Sequence, residues 1–94
     1  MDKDYSAYKT IGEVSKILSS TSKQKKIVPA HTIRFWEKKF KQIKPKILNG
    51  NRRYYDIKNV DLLKKIVFLL KDKGMTINGV KKILNRKDSL ELDE

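Results

Sequence analysis

The sequence contains no cysteine, only one histidine (His31) and no long apolar run. Without cysteine there is no disulfide, thiolate metal site or cysteine nucleophile, and one histidine excludes a multi-histidine metal cluster. The longest apolar run, residues 66–70, is far shorter than the roughly 20 residues of a membrane-spanning helix. The first residues, Met1 and Asp2 onward, lack the pattern of a secretory signal. We therefore expect a cytoplasmic protein with no metal and no membrane partner.

Acidic residues are also scarce in the body of the chain. Between positions 9 and 87 there are five acids, scattered singly, and His31 is the only candidate general base. A catalytic site needs a nucleophile with its base, or paired carboxylates. We expect neither an enzyme nor a cofactor.

Basic residues, in contrast, are abundant. The 94 residues suffice for one small domain and include 23 Lys or Arg against 11 Asp or Glu, a net charge of +12. Four acids fall in the last seven residues, so positions 9–87 carry 22 basic and five acidic residues, an excess of 17. Such an excess suits a phosphate backbone. Charge alone is equally compatible with a solubilising lysine coat.

Two helices are predicted in the first half of the chain. Thr10 and Glu13 fit a capping box, and apolar residues at helical spacing extend to about Leu18. Residues 19–26 break this pattern and predict a flexible basic loop. A second helix is predicted over 30–39, following a proline at its start. The residues expected on its inner face are Ile33, Trp36 or Glu37, and Phe40.

A small hairpin is predicted next. The segments 44–48 and 52–55 are separated by Asn49-Gly50-Asn51, and Asn-Gly is a strong hairpin signal. Strand alternation places Arg53 and Tyr55 on one face and Arg52 and Tyr54 on the other. We expect a two-stranded wing with Pro45 on an edge strand.

Two further helices complete the predicted domain. Asp56 or Asn59 can cap a third helix that ends near residue 73, with Gly74 as its left-handed stop. Thr76 can cap a fourth helix that ends near residue 87. Phe68 lies opposite the inner face of the third helix, where either a neighbouring element covers it or it stays exposed to a partner.

The predicted fold is mostly α with a small β-hairpin, in the order helix, loop, helix, two-stranded wing, helix, helix. This is the order of a winged helix-turn-helix, which sets one helix in the major groove of DNA. We expect a flexible leader over 1–9, the DNA-binding domain over 10–87 and an acidic disordered tail over 88–94.

Several motifs, taken in order, resemble the MerR family of transcriptional regulators. They are Thr10-Ile11-Gly12-Glu13-Val14, His31-Thr32-Ile33-Arg34-Phe35-Trp36-Glu37, Gly50-Asn51-Arg52-Arg53-Tyr54-Tyr55, Val60-Asp61-Leu62-Leu63 and Gly74-Met75-Thr76-Ile77. The resemblance covers about residues 8–85 and is strongest to short MerR-type regulators of alphaproteobacteria.

The resemblance implies a sequence-specific regulator of double-stranded DNA that is associated with the nucleoid. The second helix would lie in the major groove and the wing on the adjacent backbone or minor groove. Ile33, Trp36 and Tyr55 match core positions of the family. The residues expected to contact DNA are His31, Thr32, Arg34, Phe35, Lys38, Arg52, Arg53 and Tyr54, with Lys25 and Lys26 of the basic loop. RNA polymerase at a promoter is a further expected partner.

Two departures from the family pattern affect these expectations. Residues 19–27 lengthen the turn, either adding phosphate contacts or forming a tolerated surface insertion. No heptads follow Leu84, whereas the family ends in a coiled-coil dimer helix. The chain is then part of a longer protein, a monomer, or a homodimer through another surface made by Leu62, Phe68 and Leu69.

Two other kinds of function fit part of the sequence. A monomeric excisionase-like or architectural DNA-binding protein fits the same fold. An RNA-binding or acidic-protein-binding basic module fits the charge. RNA-binding sheets expose aromatic residues for base stacking, whereas Phe35, Trp36, Phe40 and Tyr55 fit core spacing here.

Overall fold

The computed structural model describes residues 7–21, 23 and 26–92, with side chains as far as residue 86. Four helices and a small antiparallel sheet form the predicted winged helix-turn-helix. The helices are α1 (Ile11–Thr21), α2 (Ala30–Lys39), α3 (Ile57–Val67) and α4 (Ile77–Leu92). The strands are β1 (Lys9–Thr10), β2 (Lys46–Leu48) and β3 (Arg52–Tyr55).

The sheet has three strands in the order β1, β3, β2, so β3 is central. Lys9 pairs with Tyr55 and Thr10 with Tyr54, while Ile47 of β2 pairs with Arg53. Only β2 and β3 were predicted. A strand of two residues is too short to show alternation, so β1 left no signal, and the paired chain begins at Lys9, inside the expected leader.

Helix α1 begins with the predicted capping box. The Glu13 backbone N–H donates to Thr10 Oγ1 at 3.2 Å, and the Thr10 N–H donates to Glu13 Oε1 at 2.9 Å. The helix continues to Thr21, beyond the expected end near Leu18. The hydroxyl of Thr21 donates to the Ile17 carbonyl at 2.7 Å, as does that of Ser19 to the Ser15 carbonyl at 2.8 Å. These bonds satisfy polar side chains within the last turn.

The end of the basic loop is fixed to α1 by two serines. Ser15 Oγ donates to the Val28 carbonyl at 2.6 Å, and the Val28 N–H donates to Ser19 Oγ at 2.9 Å. Val28 itself is fully buried. Both polar groups of the Val28 backbone are therefore satisfied, and the chain enters α2 in a defined position.

Helix α2 starts after Pro29, which occupies the N-cap position and provides no side-chain hydrogen bond. Ile33, Trp36 and Phe40 are buried, so Trp36 rather than Glu37 completes the inner face. The prediction for this face is confirmed.

The wing turns through Asn49–Asn51, with positive φ at Gly50 (73°) and Asn51 (61°). Glycine and asparagine are the residues that adopt this conformation most readily, so the hairpin prediction is confirmed. Pro45 precedes β2 and does not lie on an edge strand as expected.

Asn59 of α3 is hydrogen-bonded to the backbone of the segment that leads into β2. Its amide Nδ2 donates to the Lys44 carbonyl at 3.0 Å, and its Oδ1 accepts from the Lys44 N–H at 2.9 Å. Asp56 caps the helix by accepting from the Asn59 backbone N–H at 2.9 Å. The cap is therefore Asp56, and the buried Asn59 fixes the chain before β2.

The chain after α3 forms a π-helix over Phe68–Asp72 and then stops at Gly74, whose φ is +70° as predicted. Phe68 is 39% exposed, with the Lys73 ammonium 5.4 Å from its ring centroid. The exposed alternative for Phe68 is thus the observed one.

Helix α4 is capped as predicted, since the Gly79 N–H donates to Thr76 Oγ1 at 3.0 Å. Its backbone is helical to Leu92, five residues past the expected end, and the sequence from 80 to 92 contains no glycine or proline to stop it. Residues 93–94 of the predicted tail lie outside the described residues.

The core lies between the sheet and all four helices. Its buried apolar residues are Val14, Leu18, Val28, Ile33, Trp36, Phe40, Ile43, Tyr55, Val60, Leu63, Ile66, Val67, Val80 and Leu84. Phe35 is 45% exposed, so the expectation of a core position for it is wrong. Its position in α2 falls beside Arg34, on the side facing away from the core.

Among the described residues, no helix has the length and hydropathy needed to cross a membrane.

Candidate nucleic-acid interface

The outer face of α2 carries the first group of predicted contact residues. His31, Arg34, Phe35 and Lys38 are exposed, and their spacing of three and four residues places them on one helix face. The Lys39 ammonium lies 5.4 Å from the Phe35 ring centroid, a cation–π distance. The helix thus presents an aromatic ring among cations on the side opposite the core.

The wing carries the second group. Arg52 is exposed, and Arg53 and Tyr54 are partly buried. A depression of about 290 Å³ lies between this strand and the helices. Its lining residues are Thr10, Ile11, Arg34, Asn51, Arg52, Arg53 and Tyr54.

A second depression, of about 410 Å³, lies between α2 and the wing. It is lined by His31, Arg34, Phe35, Lys38 and Arg53. Arg34 and Arg53 line both depressions, so these two arginines lie where the surfaces of α2 and the wing meet.

Seven of the ten predicted contact residues therefore share one surface. Thr32 is partly buried and Lys26 is exposed, and neither lines the two depressions. Lys25 lies outside the described residues.

Glu37 connects the two elements from beneath this surface. Arg53 Nε donates to both carboxylate oxygens of Glu37, at 3.0 and 3.1 Å, and the Tyr55 hydroxyl donates to Glu37 Oε2 at 2.9 Å. The Glu37 side chain is only 12% exposed. A bridge of this kind, with an ionised acceptor and three short hydrogen bonds, holds α2 and β3 in a fixed relation.

The hydroxyl of Tyr55 stays protonated in this bridge. Burial raises the pKa of Tyr55 above its ordinary value of 10.0, and the hydrogen bond to Glu37 raises that pKa further. Tyr55 therefore acts as a hydrogen-bond donor to Glu37 at neutral pH.

The role of Glu37 was missed in the sequence, which offered it only as an alternative residue for the inner face. Its partners lie 16 and 18 positions away, on a strand of the wing. No local pattern marks such a contact, although strand alternation correctly placed Arg53 and Tyr55 on one face.

A further basic cluster follows the end of α2. A depression of about 220 Å³ there is lined by Lys38, Lys39, Lys41, Gln42, Lys81 and Asn85. Gln42 Nε2 donates to Asn85 Oδ1 at 2.9 Å and so joins the turn after α2 to α4. Lys38 also lines the depression beside Arg34, so these lysines continue the positive surface from α2 to α4.

In the part of the chain that the structure describes, no three histidine or carboxylate side chains come close enough to hold a metal ion.

Comparison with known proteins agrees with the geometry. The model of the MerR HTH family of regulatory proteins matches residues 9–87, more than four-fifths of the chain. No curated protein and no solved structure gives a significant match. The family consists of DNA-binding regulators rather than enzymes. On this match the chain belongs to the MerR family of helix-turn-helix regulatory proteins and is a DNA-binding regulator.

Proposed function

We propose that this chain is a sequence-specific transcriptional regulator that binds duplex DNA with α2 in the major groove and the wing on the adjacent backbone or minor groove. The observation that carries the proposal is the shared surface in which Arg34 of α2 and Arg53 of the wing line the same two depressions. A helix and a hairpin that meet in this way suit a groove and its neighbouring phosphates.

Arg34 is the residue proposed to read bases. It is exposed at the middle of the outer face of α2, beside Phe35 and one turn from Lys38. A guanidinium can donate two parallel hydrogen bonds to guanine O6 and N7, which an ammonium cannot match in geometry. The sequence has 19 lysines and four arginines, so an arginine in the centre of this face is a specific feature.

The start of α2 is proposed to approach a phosphate. Pro29 provides no side-chain cap, whereas Thr10, Asp56 and Thr76 cap the other three helices. The Thr32 N–H donates to the Pro29 carbonyl at 3.0 Å, so the earlier N–H groups of the first turn, that of His31 among them, are the ones suited to a phosphate oxygen.

RNA binding through stacked bases is the less favoured alternative. Trp36, Phe40 and Tyr55 are buried in the core, which leaves Phe35 as the exposed member of the four aromatic residues considered. A single ring is a small stacking platform compared with the two or three of an RNA-binding sheet.

Assembly is proposed to involve a weak homodimer at most. Phe68 is exposed, but Leu62 and Leu69 pack against the core and present little apolar area. A stable interface takes about 20 to 30 residues from each partner, and this patch has three. If the protein binds DNA as a dimer, we propose that it contacts RNA polymerase at a promoter in the nucleoid. If it binds as a monomer, we propose an excisionase-like or architectural role.

Selection of bound sequences from a random duplex library tests the proposed function. The selected duplex is then titrated at several salt concentrations and the stoichiometry is recorded. An enriched inverted repeat bound two to one supports a dimeric regulator, and a single half-site bound one to one supports a monomeric binder. The absence of any enriched sequence would contradict sequence-specific regulation and favour an RNA or an acidic protein as the partner.

A further inference from the structure

We propose that Glu37 is a positioning residue for DNA binding, because its carboxylate holds Arg53 through Nε and leaves the two terminal guanidinium nitrogens free to receive a phosphate. The inference rests on the proposed function and extends it to an acidic residue that itself makes no contact with DNA.

The nitrogens of the Arg53 guanidinium differ in their hydrogen bonding. Nε is bonded to both oxygens of Glu37, at 3.0 and 3.1 Å. Among the residues that the structure describes, none accepts a hydrogen bond from the terminal nitrogens. Arg53 also lines both depressions between α2 and the wing, and its side chain is 27% exposed. The unused donors therefore belong to the surface that faces the proposed DNA.

Fixing Arg53 before binding removes a cost of recognition. A free arginine samples many rotamers, and ordering such a side chain at an interface costs free energy. The bond from Nε to Glu37 restricts those rotamers in advance. Tyr55, which is fully buried, holds Glu37 in turn through its hydroxyl.

The sign of the charge makes this role testable. Glu37 is the only acid in α2, and it lies among Arg34, Lys38 and Lys39. By charge alone an acid beside a phosphate backbone weakens binding, so its removal should tighten binding. A positioning role predicts the opposite result, because the loss of Glu37 also frees Arg53.

The test compares Glu37→Gln with Asp61→Asn on a short duplex of arbitrary sequence at low salt. Both changes add one unit of positive charge, and Asp61 is exposed on α3 and lines neither of the two depressions. We expect Glu37→Gln to weaken binding roughly three- to tenfold and to lower the salt slope by about 0.9, the value for one lost phosphate contact. Asp61→Asn should bind as tightly as the parent protein or slightly more tightly.

A second comparison separates positioning from a loss of folding. In an Arg53→Ala background there is no guanidinium to position, and the charge of Glu37 is no longer balanced, since only the Tyr55 hydroxyl still donates to it. Glu37→Gln should then tighten binding, which reverses the sign of its effect in the parent protein. Damage to the fold would weaken binding in both backgrounds, and thermal melting of each variant detects it directly.

The outcomes distinguish the inference from the function on which it rests. A parent protein that does not bind duplex DNA at low salt overturns both. A parent that binds, with Glu37→Gln binding equally or more tightly, overturns only the positioning role. Weaker binding by Glu37→Gln in both backgrounds assigns Glu37 a structural role instead.

Discussion

The N-terminus of α1 and the meeting point of α2 with the wing are each built around one glutamate. Glu13 is exposed and accepts hydrogen bonds within its own capping box, from a residue three positions away. Glu37 is 12% exposed and accepts from Arg53 and Tyr55 on another element of the fold.

The two regions differ in what their contacts hold in place. The contact of Glu13 stabilises the first turn of one helix and needs no tertiary structure. The contacts of Glu37 form only when α2 and β3 have packed together, and they fix the relative position of two elements. Loss of the Glu13 contact should lower the stability of the fold, whereas loss of the Glu37 contacts should also release Arg53 within the surface proposed to meet DNA.

The largest expected effect concerns another buried long-range contact, that of Asn59. We expect Asn59→Ala to lower the free energy of unfolding by roughly 2 to 3 kcal/mol, because the backbone N–H and carbonyl of Lys44 lose their partner. Urea unfolding measures the change. Asn85→Ala is the control, since Asn85 is exposed and also makes a long-range bond, to Gln42, and it should cost less than about 0.5 kcal/mol. Equal costs would show that burial does not determine the strength of these contacts.

Arg34→Ala tests whether the surface beside Glu37 reads sequence. It should lose roughly 1 to 3 kcal/mol of binding free energy on the selected duplex and little on arbitrary DNA, while unfolding is unchanged. Lys26→Ala, in the exposed basic loop, should weaken binding to both duplexes alike. Titration of both variants on both duplexes gives the comparison. Equal losses for Arg34→Ala on the two duplexes would contradict base reading.

Thr10→Ala tests the local region. The loss of the N-cap hydroxyl should lower the free energy of unfolding by about 1 kcal/mol. Thr76→Ala removes the equivalent cap of α4 and should cost a similar amount in thermal or urea unfolding. Widely different costs for the two variants would contradict the view that both caps are local contacts of equal strength.

The smallest expected effects are pH dependences of opposite direction. The hydrogen bond from the Thr10 backbone lowers the pKa of Glu13 from its ordinary 4.5. The ionised Glu13 side chain therefore stabilises the fold above pH 4.5, and this contribution is lost as the pH falls below that value. Burial raises the pKa of Tyr55, so its stabilisation is present below pH 10.0 and is lost as the pH rises further.

Unfolding measured against pH checks both effects. Relative to the parent protein, Glu13→Gln should show less loss of stability in acid, and Tyr55→Phe should show less loss in alkali. If Glu13→Gln loses as much stability in acid as the parent protein, the effect of Glu13 is contradicted. If Tyr55→Phe loses as much stability in alkali as the parent protein, the effect of Tyr55 is contradicted.

The same difference between local and long-range contacts explains which features of the fold could be predicted from the sequence. The capping box of α1, the Thr76 cap of α4, the Asn-Gly hairpin and the stop at Gly74 depend on neighbouring residues, and all were predicted. The cap of α3 and the inner face of α2 were each predicted with two alternatives at one position, Asp56 or Asn59 and Trp36 or Glu37. Most of the proposed interface followed from helix spacing and strand alternation, together with the family resemblance. Those same rules placed Arg53 and Tyr55 on one face.

Features that depend on packing were missed. The bridge made by Glu37, the pairing of Lys9 with Tyr55 and the π-helix after Val67 involve partners or backbone shifts that no short pattern specifies. Phe35 was assigned to the core by its spacing in the argument against RNA binding, although it was also predicted to contact DNA. Its spacing from Ile33 and Trp36 instead puts it on the outer face, beside Arg34.

Strand β1 sets a limit on how the protein can be shortened or tagged for laboratory work. Thr10 belongs both to the sheet, opposite Tyr54, and to the capping box of α1. A version that began at Ile11 would lose an edge of the sheet and the cap of its first helix together. A tag should therefore be joined ahead of residue 9, where the family match also begins, so that cleavage leaves this strand intact.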